Sequence, residues 1–278
     1  MLRYFFIILP IVFTCVLSLT CCAQKTSVRD HLYELTWGDE FNTSVLDTTL
    51  WSKMKRKNTR CSRYFTSDER LFEQKKGRLR LYALHNDNLI PTDTAQYLTG
   101  GITSDGKATL GYGKIEVRVK VIGAQGTWPA IWTLPTEPKY RTVKSPYYTE
   151  IDIMEYVDRN TFVYQTAHNE YTLRDQKNWT RPNRLVKSPI KVDKYNVYSV
   201  EILPNEIIFA VNGVETLRYP RLEEEEHQFH YGLESFLMLD MQVNPPKSWS
   251  IGADPTTLPA YMDIDWVRVY KLKDKVTK

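Results

Sequence analysis

The stretch Lys114-Ile115-Glu116-Val117-Arg118-Val119-Lys120-Val121 alternates without a break. Ile115, Val117, Val119 and Val121 share one side of an extended chain, and Glu116, Arg118 and Lys120 share the other. Successive side chains of a strand point to opposite faces, so this pattern describes a strand in a sheet with one dry face. The same period of two recurs in Gly77-Arg78-Leu79-Arg80-Leu81-Tyr82. Residues 207–211 and 214–219 flank Asn212-Gly213, a dipeptide that tolerates positive φ and predicts a type I′ hairpin. Residues 236–243 and 261–272 add strands, and no long stretch carries a helical period. The fold class expected is all-β: a two-sheet sandwich of the jelly-roll type with a concave cleft. The Pro-rich interval 245–259 reads as a surface loop, because proline cannot donate to a sheet ladder.

Charge and composition narrow the function. Among 278 residues, 37 Lys and Arg stand against 33 Asp and Glu, a net +4 with both signs interspersed. That is not the concentrated basic face that neutralises nucleic-acid phosphates, so no nucleic acid is expected as a partner. The acidic run Glu223 to Glu226 reads as a solvated loop. Aromatics make up 13%, with 18 Tyr and 7 Trp, side chains whose flat apolar faces and polar edges suit sugar rings. A large β core also uses aromatics as strand formers, which accounts for more than half of them.

At the amino terminus Arg3 precedes an apolar run over residues 4–19, interrupted by Pro10, Thr14 and Ser18. The run is too short for a spanning helix and reads as an export signal over residues 1–23. A short tether, 24–34, and one domain, 35–278, follow. The sequence Leu19-Thr20-Cys21-Cys22-Ala23-Gln24 permits lipidation of Cys21 or Cys22, with attachment to a membrane, or cleavage after Ala23. An exported monomer is expected, periplasmic, on the cell surface or secreted. Cys61 is the one cysteine within the expected domain, so no disulfide framework is available, and it reads as a small buried hydrophobe.

The chemistry concentrates in Thr149-Glu150-Ile151-Asp152-Ile153-Met154-Glu155-Tyr156. In a strand, Glu150 and Asp152 share a face while Ile151 and Ile153 enter the core. Glu155 breaks the parity, unless one extra residue is accommodated as a β-bulge around Ile153 and Met154. A helix would leave Glu150 and Glu155 roughly 140° apart and scatter the pair. Two carboxylates on one face of a cleft can divide labour at a glycosidic bond. One attacks the anomeric carbon, and the other protonates the departing oxygen and later activates water. A third between them can raise a neighbour's pKa and keep it protonated. Nearby, Trp128 and Trp132 share a face if extended, and His168 ends a strand-like stretch where it can donate to substrate or carboxylate.

With these residues the sequence resembles glycoside hydrolase family 16, which includes laminarinases, agarases, carrageenases and endo-β-galactosidases. The likeness spans Trp37-Gly38-Asp39-Glu40-Phe41-Asn42, Gly111-Tyr112-Gly113-Lys114-Ile115-Glu116-Val117-Arg118, Trp128-Pro129-Ala130 with Trp132, the Glu150 to Glu155 core, and Asp265-Trp266-Val267-Arg268-Val269-Tyr270. The resemblance implies a retaining endo-glycosidase that needs no cofactor for catalysis. In it Glu150 would be the nucleophile, Glu155 the acid/base and Asp152 their assistant, in a cleft lined by Trp128, Trp132 and His168. It also implies a structural calcium held through Glu40 and Asp265, for which surface caps or ion pairs are the alternative reading. One departure stands out. Where many laminarinases carry a Gly-Gly-x-Trp turn, this chain reads Gln242-Val243-Asn244-Pro245-Pro246-Lys247-Ser248-Trp249, which makes Gln242 and Trp249 candidates for a different sugar site. β-Galactoside-containing chains and β-1,3-glucans both remain as substrates. A non-catalytic carbohydrate-binding sandwich would explain the fold and the aromatics, but has no need for three carboxylates at this spacing.

Overall fold

The structure, a computed structural model, describes residues 30–244 and 250–273. Among the described residues sixteen strands form two antiparallel sheets. One runs in spatial order β14 (Val214–Pro220), β13 (Glu206–Val211), β12 (Asn196–Leu203), β7 (Gly113–Ile122), β16 (Ala260–Leu272), β4 (Leu79–His85) and β3 (Phe72–Gln74). Onto it β1 (Tyr33–Asp39) adds at β16 and β5 (Tyr97–Thr99) at β4. The other runs β11 (Leu185–Pro189), β10 (Phe162–Asn169), β9 (Thr149–Glu155), β8 (Ala130–Pro135), β15 (Ser235–Asp240), β6 (Gly101–Thr103) and β2 (Ser52–Lys53). This is the all-β sandwich read from the sequence.

The alternation of residues 114–121 is realised in β7, where Ile115, Val117, Val119 and Val121 are all buried in the core between the sheets. From the opposite sheet Ile131, Ile151, Ile153, Val163, Ala167, Leu237 and Leu239 meet them. Burial of so many branched side chains is what holds a sandwich without disulfides, since each fully buried one contributes about 1.5–3 kcal/mol. The Asn212-Gly213 turn has φ of 53° and 77°, the two positive values a type I′ turn requires. The first strand starts at Tyr33, two residues before the domain start read from the sequence, because Tyr33 and Glu34 already pair with Leu272 and Lys271. Residues 250–259 form the expected loop, with a 3₁₀ turn at Pro255–Thr257. The segment read as an export signal, with Cys21 and Cys22, and also Trp249, lie outside the described residues. Among the described residues no helix is long and apolar enough to cross a membrane.

Candidate active site

The core faces of β8, β9, β10 and β15 fix what their other faces carry. Because Ile151 and Ile153 point inward, Glu150 and Asp152 point away from the opposite sheet. The register then shows how Glu155 joins them. On one side Trp132 pairs with Asp152 and the next residue back, Ile131, pairs with Met154. On the other, Thr166 pairs with Asp152 and Tyr164 with Glu155, so one residue of β10 faces two of β9. The strand thus holds one residue too many at Ile153 and Met154 for both neighbours. The bulge returns Glu155 to the carboxylate face.

A buried glutamine supports that irregularity. Gln165 donates from Nε2 to the carbonyl of Ile153 at 3.0 Å. Its Oε1 accepts from Ser188 at 2.7 Å and from Thr216, on the opposite sheet, at 2.6 Å. The side chain is fully buried, so the bulge's carbonyl has a partner that water could not supply.

Each carboxylate has its own donor. The Tyr148 hydroxyl donates to Glu150 at 2.6 Å, and the Trp128 indole donates to Glu155 at 2.9 Å. His168 Nε2 lies 3.0 Å from Asp152 Oδ2, while Arg184 Nη1 lies 2.7 Å from His168 Nδ1. A guanidinium can only donate, so Nδ1 is an acceptor and the imidazole proton sits on Nε2, directed at Asp152. A fourth carboxylate belongs to the same face: Asp240 stands opposite Ala130 and accepts from the Trp132 indole at 2.7 Å.

Burial in this acidic cluster raises every one of these carboxyls. Glu150 is pushed up to about 7 by burial and then by Asp152, against the pull of His168, Tyr148 and Arg184. Asp152 also rises to about 7 through burial, with Arg184 opposing and Asp240 adding. Glu155 is raised well above the usual range by burial and by Asp152, to which a hydrogen bond joins it. Asp240 rises to about 7 by burial. His168 is lowered, chiefly by burial. The arrangement therefore separates a carboxylate at Glu150 from a carboxylic acid at Glu155, the division of labour that glycosidic cleavage needs.

Glu150, Asp152 and His168 bring donor atoms within 4.8 Å of one another, yet they do not fit a metal. Histidine ligates through a free lone pair, and Arg184 at Nδ1 keeps the proton on the nitrogen that faces the acids. The calcium expected at Glu40 and Asp265 does not fit either. Arg268 donates to Glu40 at 2.8 Å and Arg118 bonds Asp265, so each acid is engaged by a guanidinium. These two acids are ion-pair partners, the alternative reading.

Trp128, Trp132 and His168 thus all stand beside the carboxylates. Gln242 is there too, but buried at 3% exposure beside Asp240, with Oε1 lacking a hydrogen-bond partner. Tyr148, Arg184, Gln165 and Asp240 escaped the sequence reading. Asp240 left a signal: in residues 236–243 the core takes Leu237, Leu239 and Met241, which leaves Phe236, Met238, Asp240 and Gln242 on the opposite face of the strand, the one that carries the acids.

A jelly-roll sandwich whose outward sheet face carries a bulged strand of three carboxylates, with indoles donating beside them, defines a class of sugar-cleaving proteins. The chain matches the model of glycosyl hydrolases family 16 over residues 63–268, and it belongs to that family. Among curated relatives, a keratan-sulfate endo-1,4-β-galactosidase of Sphingobacterium multivorum is 34% identical over 252 residues, 90% of this chain and 58% of that protein. A β-glucanase of Rhodothermus marinus is 30% identical, over 86% of this chain and 85% of its own length. This chain thus spans little more than half of the first relative. Among solved structures, the Rhodothermus marinus laminarinase superposes with a TM-score of 0.74 at 26% identity, covering 87% of this chain and 98% of that one. A structure from a study of endo-acting O-glycanases, expressed by prominent members of the human gut microbiota to initiate mucin breakdown, gives 0.71 at 28% identity. It covers 86% of this chain and all of that one.

Proposed function

We propose that the protein is a retaining endo-glycosidase that cuts internal β-linkages of a galactose-containing chain through a covalent glycosyl-enzyme. The observation that carries this reading is the bulge at Ile153 and Met154, which sets Glu150, Asp152 and Glu155 on one face with opposite protonation of the two glutamates favoured. In the first step a Glu150 oxygen bonds to the anomeric carbon as the glycosidic bond breaks, and the departing oxygen takes the proton of Glu155. In the second, water gives a proton to Glu155, attacks the same carbon and releases Glu150. Asp152, hydrogen-bonded by His168, holds the proton on Glu155 until the leaving oxygen needs it. No cofactor enters either step.

Support for a β-galactoside comes from the 34% identity to the keratan-sulfate enzyme and from the replacement of the Gly-Gly-x-Trp turn by residues 242–249. A β-1,3-glucan is the second reading, favoured by the likeness to the Rhodothermus proteins. A non-catalytic binding sandwich would gain nothing from four carboxyls held above their usual pKa. The discriminating experiment offers keratan sulfate, mucin glycans, laminarin and lichenan to the parent and to Glu150→Ala. Oligosaccharides released by the parent alone support the reading, and none from any polymer would overturn it. Export as a monomer, with a lipid on Cys21 or Cys22, is part of the same proposal. It fails if the Cys21→Ser, Cys22→Ser double variant stays in the membrane fraction as the parent does.

A further inference from the structure

Between β2 and the bridge at Phe65 the chain carries Lys53, Lys55, Arg56, Lys57, Arg60 and Arg63 and no acid. Lys53 pairs with Glu69 at 2.6 Å and Arg56 with Asp93 at 2.8 Å. Lys55, Lys57, Arg60 and Arg63 are exposed and have no ion-pair partner among the described residues.

The place of this loop is what makes the excess charge informative. Its first end is tied to the carboxylate sheet, where the Met54 N–H donates to Gly101 at 2.8 Å, and Gly101 packs against Asp240. Its far end is tied to the other sheet through Thr99, whose N–H donates to Tyr64 at 2.9 Å. In between, Lys57 N–H donates to Ser62 at 3.2 Å, and the Thr59 and Ser62 hydroxyls hydrogen-bond, so the turn is closed on itself. At its tip the Arg60 guanidinium lies 4.9 Å over the ring of Trp128, the same indole that donates to Glu155. The neighbouring Cys61 thiol is pushed up to about 12 by burial and by the charges of Asp240, Glu150 and Asp152, which puts it beside the acids.

These cations are not needed to neutralise the catalytic acids. Arg184 opposes their charge from the β10 side, and the exposed Arg60 rests on an indole. We infer that the loop over residues 55–63 is a basic lip of the cleft that recognises an anionic group, a sulfate ester or a carboxylate, on the glycan being cut. This rests on the endo-glycosidase reading of the same cleft. A guanidinium offers paired donors to such an oxyanion, and several cations at the mouth of a low-dielectric cleft raise the local concentration of a polyanion. Screening by salt weakens both effects.

The test compares keratan sulfate with its chemically desulfated form, and sialylated with desialylated mucin glycans, for the parent and for a Lys55→Gln, Lys57→Gln, Arg60→Gln, Arg63→Gln variant. Expected is a kcat/KM for the parent at least about fivefold higher on one anionic form than on its neutral counterpart, shrinking as salt rises. In the variant that ratio should collapse toward one, with the change in KM rather than kcat. Which pair shows the preference identifies sulfate or carboxylate. A parent ratio of one on both pairs, or an identical ratio in the variant, overturns the inference. Binding of each polymer to the Glu150→Gln protein separates the two claims. A preference for the anionic chain there upholds the lip even if no polymer is cut, and turnover without that preference removes the lip and leaves the glycosidase.

Discussion

Arg184 donates to Nδ1 of His168 across 2.7 Å, and this contact decides which imidazole nitrogen carries the proton. The proton is placed on Nε2, 3.0 Å from Asp152, and the charge of Arg184 together with burial keeps the ring neutral. Nitrogen-15 NMR of the parent should show a neutral Nε2–H tautomer at His168 through neutral pH. Arg184→Met should allow tautomer exchange and ring protonation, and lower kcat/KM on the order of tenfold. A parent signal from Nδ1–H would contradict the arrangement.

The Trp128 indole should tune the acid it touches. Its hydrogen bond lowers Glu155 against the larger upward effects of burial and Asp152. Trp128→Phe should therefore move the alkaline limb of the pH–activity profile to higher pH, where Glu155 would otherwise have lost its proton, while reducing kcat by about tenfold. A limb that moves downward would assign the acid elsewhere.

Gln165 holds the bulge from inside the core. Gln165→Leu leaves the Ile153 carbonyl and the hydroxyls of Ser188 and Thr216 without their partner, at a cost on the order of 2–4 kcal/mol in urea unfolding. Activity should fall further than stability accounts for, because the carbonyl that fixes the register is then free to shift. A variant as unstable as expected but fully active at low temperature would remove Gln165 from the site's support.

What the sequence disclosed and what it withheld follow from one physical difference. The parity of Glu150, Asp152 and Glu155 is a property of one strand, so the bulge at Ile153 and Met154 could be read from the order of residues alone. The Asn212-Gly213 turn and the dry face of β7 are local in the same sense. Tyr148, two residues before Glu150, was local too and went unread, whereas Asp240 reaches the acids by cross-strand pairing, and Arg184 and Gln165 reach their partners across a neighbouring strand. Such contacts depend on register between segments far apart in the chain. The guanidinium partners of Glu40 and Asp265 were hidden for the same reason, since Arg268 and Arg118 meet them only when β1 and β7 pair with β16.

The acids of the cleft should weaken the fold that carries them. Glu150 has a folded pKa of about 7, above the ordinary carboxylate value near ~4.3 of the unfolded chain. Between the two values the folded state holds a proton that the unfolded state lacks, so stability falls as pH rises through that window and stays reduced above it. Glu150→Gln should therefore melt higher than the parent at pH ~8, by the equivalent of about 1–3 kcal/mol, and the gain should vanish by pH ~4. A gain that persists unchanged in acid would mean that ionisation of Glu150 is not its source.

The central claim is that Glu150 attacks carbon directly while Glu155 handles the proton, and the configuration of the first product tests it most directly. Glu150→Ala should be inactive on every substrate. Glu155→Ala should keep activity on substrates whose leaving group needs no proton, and azide should restore it as a β-glycosyl azide. The deciding measurement is proton NMR of the newly released reducing end, recorded before mutarotation, on a β-linked substrate. Retention gives the β-anomer first, as two successive displacements at one carbon require. If the α-anomer appears first, water attacks in a single step, and Glu150 is not the nucleophile.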